Sequence, residues 1–84
     1  METMYFVEFT VKNKETGAWA HRTADNGSTS DIIEAKRVFG SEMNRLYGSA
    51  DFDFVNVLII TSYGNVIMSD TKDARVAPEP ETEG

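Results

Sequence analysis

Phe52 to Ser62 reads FDFVNVLIITS, the longest apolar run in the chain, and the layout of the rest follows from it. Successive strand side chains point to opposite faces. At that period Val55, Val57 and Ile59 share one face, and Phe52, Phe54, Leu58 and Ile60 share the other, interrupted by Asn56. A strand apolar on one side suits a half-solvated sheet, whereas one apolar on both sides needs cover on both. A central strand is therefore predicted here, with something packed on each face.

Upstream, Met4 to Lys12 alternates: Tyr5, Val7, Phe9 and Val11 lie on one side, and Met4, Phe6, Glu8, Thr10 and Lys12 on the other. Asn13-Lys14-Glu15-Thr16-Gly17 supplies turn residues, which predicts a hairpin. The return strand over 18–25 sets Trp19, His21, Thr23 and Asp25 against Ala18, Ala20, Arg22 and Ala24, small and polar side chains suited to an edge. Asn26 to Asp31 then breaks the strand and opens a helix, with Ser28 or Asp31 placed to satisfy free amide donors. Ile32, Ala35, Phe39, Met43, Leu46 and Tyr47 recur at three and four, giving a helix over 31–47 with Gly48 suited to a left-handed cap. Gly40 inside it signals a close backbone approach or nothing. After the central strand, Ser62-Tyr63-Gly64-Asn65 offers a tight turn and Val66 to Thr71 a short strand, with Val66 and Met68 on one side and Ile67 on the other.

The expected fold is α+β: ββαββ, a four-stranded antiparallel sheet of order 2-1-3-4 with one helix on one face. A right-handed crossover between the second and third strands leaves the first between them, so the two apolar strands are central and the two polar ones are edges. Residues 1–73 form the single domain, and 74–84, rich in proline and glutamate, a disordered acidic tail. Which face the helix takes is open. Since one helix roofs one face only, the other would present some of Met4, Phe6, Phe54, Leu58, Ile60 and Ile67, depending on the side taken, and an exposed apolar patch of that kind, with Phe6, Phe54, Leu58 and Ile60 as its expected interface, meets a partner or a second copy. A homodimer is the expected state.

The 84 residues carry 14 acidic and 8 basic side chains, net charge −6, and a field of that sign repels a phosphate backbone. Direct nucleic-acid binding is not expected, while docking on a basic partner is open. The chain has no cysteine, which removes disulfides and thiolate metal sites and fits a reducing compartment. Neither a signal-peptide pattern nor an apolar stretch near the roughly 20 residues of a membrane span is seen. A soluble, cytoplasmic protein is expected.

Motifs of chemistry are sparse. Phosphate loops of the GxGxxG and GxxxxGK types are missing, and His21, the one histidine, has no visible helpers for a triad or metal site. Asp51 and Asp53, two apart, would point the same way as a metal or glycosidase pair does, or they are turn formers. Neither an enzyme, a cofactor nor a metal is expected. A ligand platform is the sharper alternative to a bland edge strand: Trp19 stacking a ring, His21 and Arg22 meeting a phosphate, with Arg45 or Tyr63 contributing where two copies meet. Tyr63 is also suited to anchoring a partner or to stapling its own hairpin.

A start reading MYFVEFTVKN, a helix reading EAKRVFGSEMNRLYGS, an apolar strand running into SYGNVI, and a PEPETEG ending together resemble the small accessory proteins encoded by tailed phages and prophages. The likeness is one of layout over most of the chain. It implies a non-enzymatic protein that works in the cytoplasm of an infected bacterium by binding and disabling a host or defence protein. Two further functions stand beside it: sequestering a small nucleotide immune signal, and serving as a virion or assembly component.

Overall fold

In the computed structural model, which describes residues 3–75, the chain runs β1 (Tyr5–Asn13), β2 (Trp19–Thr29), α1 (Ile32–Tyr47), β3 (Phe52–Thr61) and β4 (Val66–Asp73). The four strands form one sheet of order β2-β1-β3-β4 with every neighbouring pair antiparallel, as expected from the sequence. The predicted acidic tail lies, from residue 76 onward, outside the described residues. Ala74, the first residue after β4, is tied to the sheet edge by its N–H donating to the Asp53 carbonyl at 2.8 Å.

The helix settles on the face where β-branched residues are uninterrupted. Val7 and Val11 of β1 and Val55, Val57 and Ile59 of β3 are buried there with Ala35, Val38, Phe39 and Leu46 of α1. Val38 joins this core although the three-and-four pattern read from the sequence passes over it. On the opposite face Glu8, Thr10, Lys12 and Asn56 would each carry a polar group into any core, and an unpaired buried polar group costs on the order of 1–3 kcal/mol. The choice of face is therefore one of polar groups avoided as much as apolar groups gained.

Helix and turns are closed by side chains at their ends. Asp31 caps α1, its Oδ1 accepting from the Ile33 N–H at 2.9 Å. Gly48 follows the helix in a right-handed conformation, φ −83°, and not in the left-handed cap expected of it; its N–H reaches the Asn44 carbonyl without needing one. Gly40 meets open space. In the first turn Asn13 Oδ1 accepts from the N–H groups of Glu15 and Thr16, and in the second the buried Thr61 Oγ1 does the same for Tyr63 and Asn65.

Three irregularities depart from strict alternation. β2 continues through the stretch predicted to break it, because Ala24, Asp25, Asn26 and Gly27 lie opposite Val7 alone, between the pairs Phe6–Ser28 and Glu8–Thr23. Asn26 takes the left-handed conformation there, φ 57°, one that asparagine adopts more readily than most residues. Gly27 is required by space: a Cβ on it would stand 2.8 Å from the Ala24 carbonyl oxygen and 3.0 Å from that of Val7. Asp53 is an extra residue in β3 between the pairs Asn13–Phe52 and Lys12–Phe54. Phe52 consequently packs against the helix-side core, away from Phe54, contrary to their predicted grouping. Ile67 is extra in β4, so Val66 pairs with Ile60 while Met68 pairs with Ile59 and packs on the core. The shared face expected for Val66 and Met68 is lost.

Candidate functional site

Pairing across the sheet arranges the face left open by the helix into four rows. Trp19, Lys12, Phe54 and Asp73 make the first; His21, Thr10, Asn56 and Thr71 the second; Thr23, Glu8, Leu58 and Ser69 the third; and Ser28, Phe6, Ile60 and Val66 the fourth. Lys12 and Phe6 are six residues apart, so the outer rows stand about 20 Å from each other at about 3.3 Å per residue. The face is apolar at its two ends and polar between them. Phe6, Leu58 and Ile60 lie toward one end and Phe54 at the other, so the predicted interface set is divided.

The central band is internally satisfied. Asn56 donates from Nδ2 to Ser69 Oγ, Thr71 Oγ1 and the Asp70 carbonyl. His21 Nε2 stands 3.1 Å from Glu8 Oε1 and Nδ1 2.7 Å from Thr10 Oγ1. An ionised carboxylate only accepts, so Nε2 carries a proton; in the neutral ring Nδ1 then accepts from the Thr10 hydroxyl. His21 is thus tied into a cross-strand chain.

The first row is the most concentrated chemically. Trp19 and Phe54 rings lie 5.2 Å apart, tilted by 59°. The Arg75 guanidinium sits 4.9 Å from the Phe54 ring centre and 5.8 Å from that of Trp19. It donates from Nε and Nη2 to the two oxygens of Asp73, at 2.8 and 2.7 Å. Hydrogen bonding from Arg75 holds the Asp73 carboxyl down at about 2, and the same contact raises the Arg75 guanidinium above its ordinary value. Nearby, Lys12 Nζ reaches Asp53 Oδ2 at 3.5 Å while Asp53 Oδ1 is buried without a hydrogen-bond partner.

On the helix side a cleft of about 570 Å³ opens between β2 and the C-terminal half of α1. Phe9, Leu46 and Phe52 contribute apolar lining; Arg22, Arg45, Asp25 and Glu42 supply charge. Arg45 pairs with Glu42 and lies over the Phe9 ring, 5.7 Å from its centre. Among the described residues no carboxylate comes within 4 Å of Arg22. The volume falls within the roughly 300–1,000 Å³ of small-molecule sites.

At the helix end, Tyr47 donates its hydroxyl proton to Asp70 Oδ2 at 2.7 Å, and Lys72 Nζ donates to the Tyr47 carbonyl at 2.8 Å. Burial first, then the Asp70 carboxylate, push the Tyr47 phenol up to about 12. These contacts fasten the exposed strand β4 to the end of α1.

The platform residues named from the sequence are not gathered in one chain. Trp19 and His21 share the open face as expected; Arg22 and Arg45 both line the cleft on the other side of the sheet; Tyr63, 64% exposed, stands in the β3–β4 turn. Asp51 and Asp53 are likewise separate in role, Asp53 pairing with Lys12 and the Asp51 carbonyl accepting from the Lys14 N–H. Phe9, Phe52 and Glu42 in the cleft, and Arg75 on the open face, were not singled out from the sequence. Among the described residues no helix is long and apolar enough to cross a membrane. No family model, no curated protein and no solved structure matches the chain.

Proposed function

We propose that this is a non-enzymatic binding protein whose working surface is the open face of the sheet. The carrying observation is the partly buried set Phe6, Leu58 and Ile60, continued by the 52% exposed Val66, on a face that no element among the described residues covers. In this proposal the Phe6 end joins two copies, and the opposite end, about 20 Å away, stays accessible to a target. The resemblance to phage accessory proteins supplies the setting: an inhibitor of a host or defence protein in the cytoplasm of an infected bacterium. Sedimentation velocity at micromolar concentration tests the first part, with a dimer expected for the wild type and a monomer for Leu58→Lys. A wild-type monomer, or an undisturbed dimer in the variant, removes the basis for it. Retention of a bacterial protein by immobilised wild type, and its loss on Trp19→Ala, tests the second part.

A second reading is favoured by the cleft, which Arg22 and Arg45 line together with the apolar Phe9, Leu46 and Phe52: sequestration of a small nucleotide signal. A ligand at about 100 times its dissociation constant adds about 2.7 kcal/mol to stability, a rise easily seen in thermal unfolding. Cyclic dinucleotides and ADP-ribose derivatives are the compounds to screen. Absence of any shift, or a shift retained in Arg22→Ala, ends this reading.

A further inference from the structure

We propose that Trp19, Phe54 and Asp73 form a receptor for an arginine or lysine side chain of the target, and that Arg75 fills it while the protein is free. This rests on the docking role of the open face and names the chemistry of what docks. A cation is drawn to the faces of aromatic rings within about 6 Å, and a guanidinium also matches a carboxylate through two parallel hydrogen bonds. Both features are assembled around Arg75: two rings, at 4.9 and 5.8 Å, and both oxygens of Asp73.

Three observations make this a site for an incoming group and not only a staple for the chain's own end. Negative charge at the guanidinium is not limited to its partner Asp73, because the Asp53 carboxylate also acts on it. The occupant is open to solvent: Arg75 and Asp73 side chains are each 42% exposed, and Arg75 lies beyond the end of β4. The net charge of −6 favours approach of a basic partner over an acidic one. The receptor sits at the end of the face opposite Phe6 and Ile60, so a second copy seated there leaves it accessible. Exchange of Arg75 for a partner's cation replaces like with like, and the partner gains the surrounding surface as well.

Trp19 is the only tryptophan, so its emission and its indole N–H resonance report on this site alone. Full-length wild type and Arg75→Gln are titrated with the peptide acetyl-Gly-Arg-Gly-amide at constant ionic strength, with the citrulline peptide as the uncharged control. The variant is expected to respond with a midpoint on the order of 10 mM, as suits one exposed cation–π contact and one surface ion pair. Wild type responds about tenfold more weakly, since its own cation must first leave. The citrulline peptide gives no saturable change, and Phe54→Leu added to Arg75→Gln removes the response to arginine. Equal curves for wild type and Arg75→Gln, equal curves for the two peptides, or no saturation in the variant overturns the proposal.

The two readings fail separately. Arginine binding in Arg75→Gln with no protein retained from a bacterial lysate keeps the receptor and rejects the docking role. A target whose affinity ignores both Arg75→Gln and Phe54→Leu keeps the docking role and rejects the receptor.

Discussion

Leu58 and Ile59 are neighbours in sequence on opposite faces of β3, and replacing each in turn measures the two faces independently. Ile59 is fully buried among Val7, Val57 and the helix, and removing three of its carbons leaves a cavity in close-packed surroundings. Truncation of such a residue costs about 2–5 kcal/mol. A domain of this size has a stability near the lower end of the usual range of about 5–15 kcal/mol, so Ile59→Ala forfeits a third of it or more. Leu58 is half-buried, between Glu8 and Ser69 in its row. A lysine there keeps its methylene stem on the sheet and gains a cross-strand carboxylate worth about 0.2–1 kcal/mol, offsetting most of the apolar area lost. Leu58→Lys should therefore leave stability within about 1 kcal/mol of wild type while abolishing the dimer, where a second copy would bury two such charges face to face. Urea unfolding followed by Trp19 emission supplies the stability, and sedimentation the association. Unfolding of Leu58→Lys together with tolerance of Ile59→Ala would mean that the faces are assigned the wrong way round.

Gly27→Ala should cost about 1–3 kcal/mol in urea unfolding, because the new methyl group meets two carbonyl oxygens of the backbone and the bulge must open to admit it. Asp31→Ala removes the N-terminal cap of α1 and should cost about 0.5–2 kcal/mol, with Asp31→Asn restoring most of it. The Tyr47 phenol is raised from 10.0 to about 12, so its neutral form stabilises the fold fully below pH 10, and that stabilisation disappears as pH rises toward 12. Unfolding measured across pH 9 to 12 should show a steeper alkaline loss for wild type than for Tyr47→Phe. Identical profiles would place no perturbed phenol at the helix end.

The strand order was legible because each strand's composition is suited to one position. β3 is apolar on two faces, β1 on one, and β2 and β4 are small or charged, so with each hairpin's strands adjacent only a 2-1-3-4 sheet puts the first two inside. The bulge at Ala24–Gly27 was not legible, since Asn-Gly-Ser is as good a turn as it is a left-handed step inside a strand, and the register of Phe6 with Ser28 across it depends on a partner distant in sequence. The same holds at Asp53, where one extra residue transfers Phe52 to the other face. For the candidate sites, alternation placed Trp19 with His21 and opposed Arg22 to both. It could not bring Arg45 into the same cleft as Arg22, a placement that depends on how α1 crosses β2. Arg75 is not legible as a site residue because it stands where the proline- and glutamate-rich end begins; the available clue is its place two residues after Asp73, which pairs with Phe54.

The irregularities in β2 and β4 also govern how copies of this chain can meet. A straight outer strand exposes an evenly spaced ladder of amide and carbonyl groups on which a further strand can zip, the first step toward fibrous growth. Here one rim is buckled at Ala24–Gly27 and the other is kinked at Ile67 and studded with Asp70, Lys72 and Asp73. Lateral extension of the sheet is disfavoured at both margins, so the proposed dimer is one in which two copies stack broadside and growth stops there.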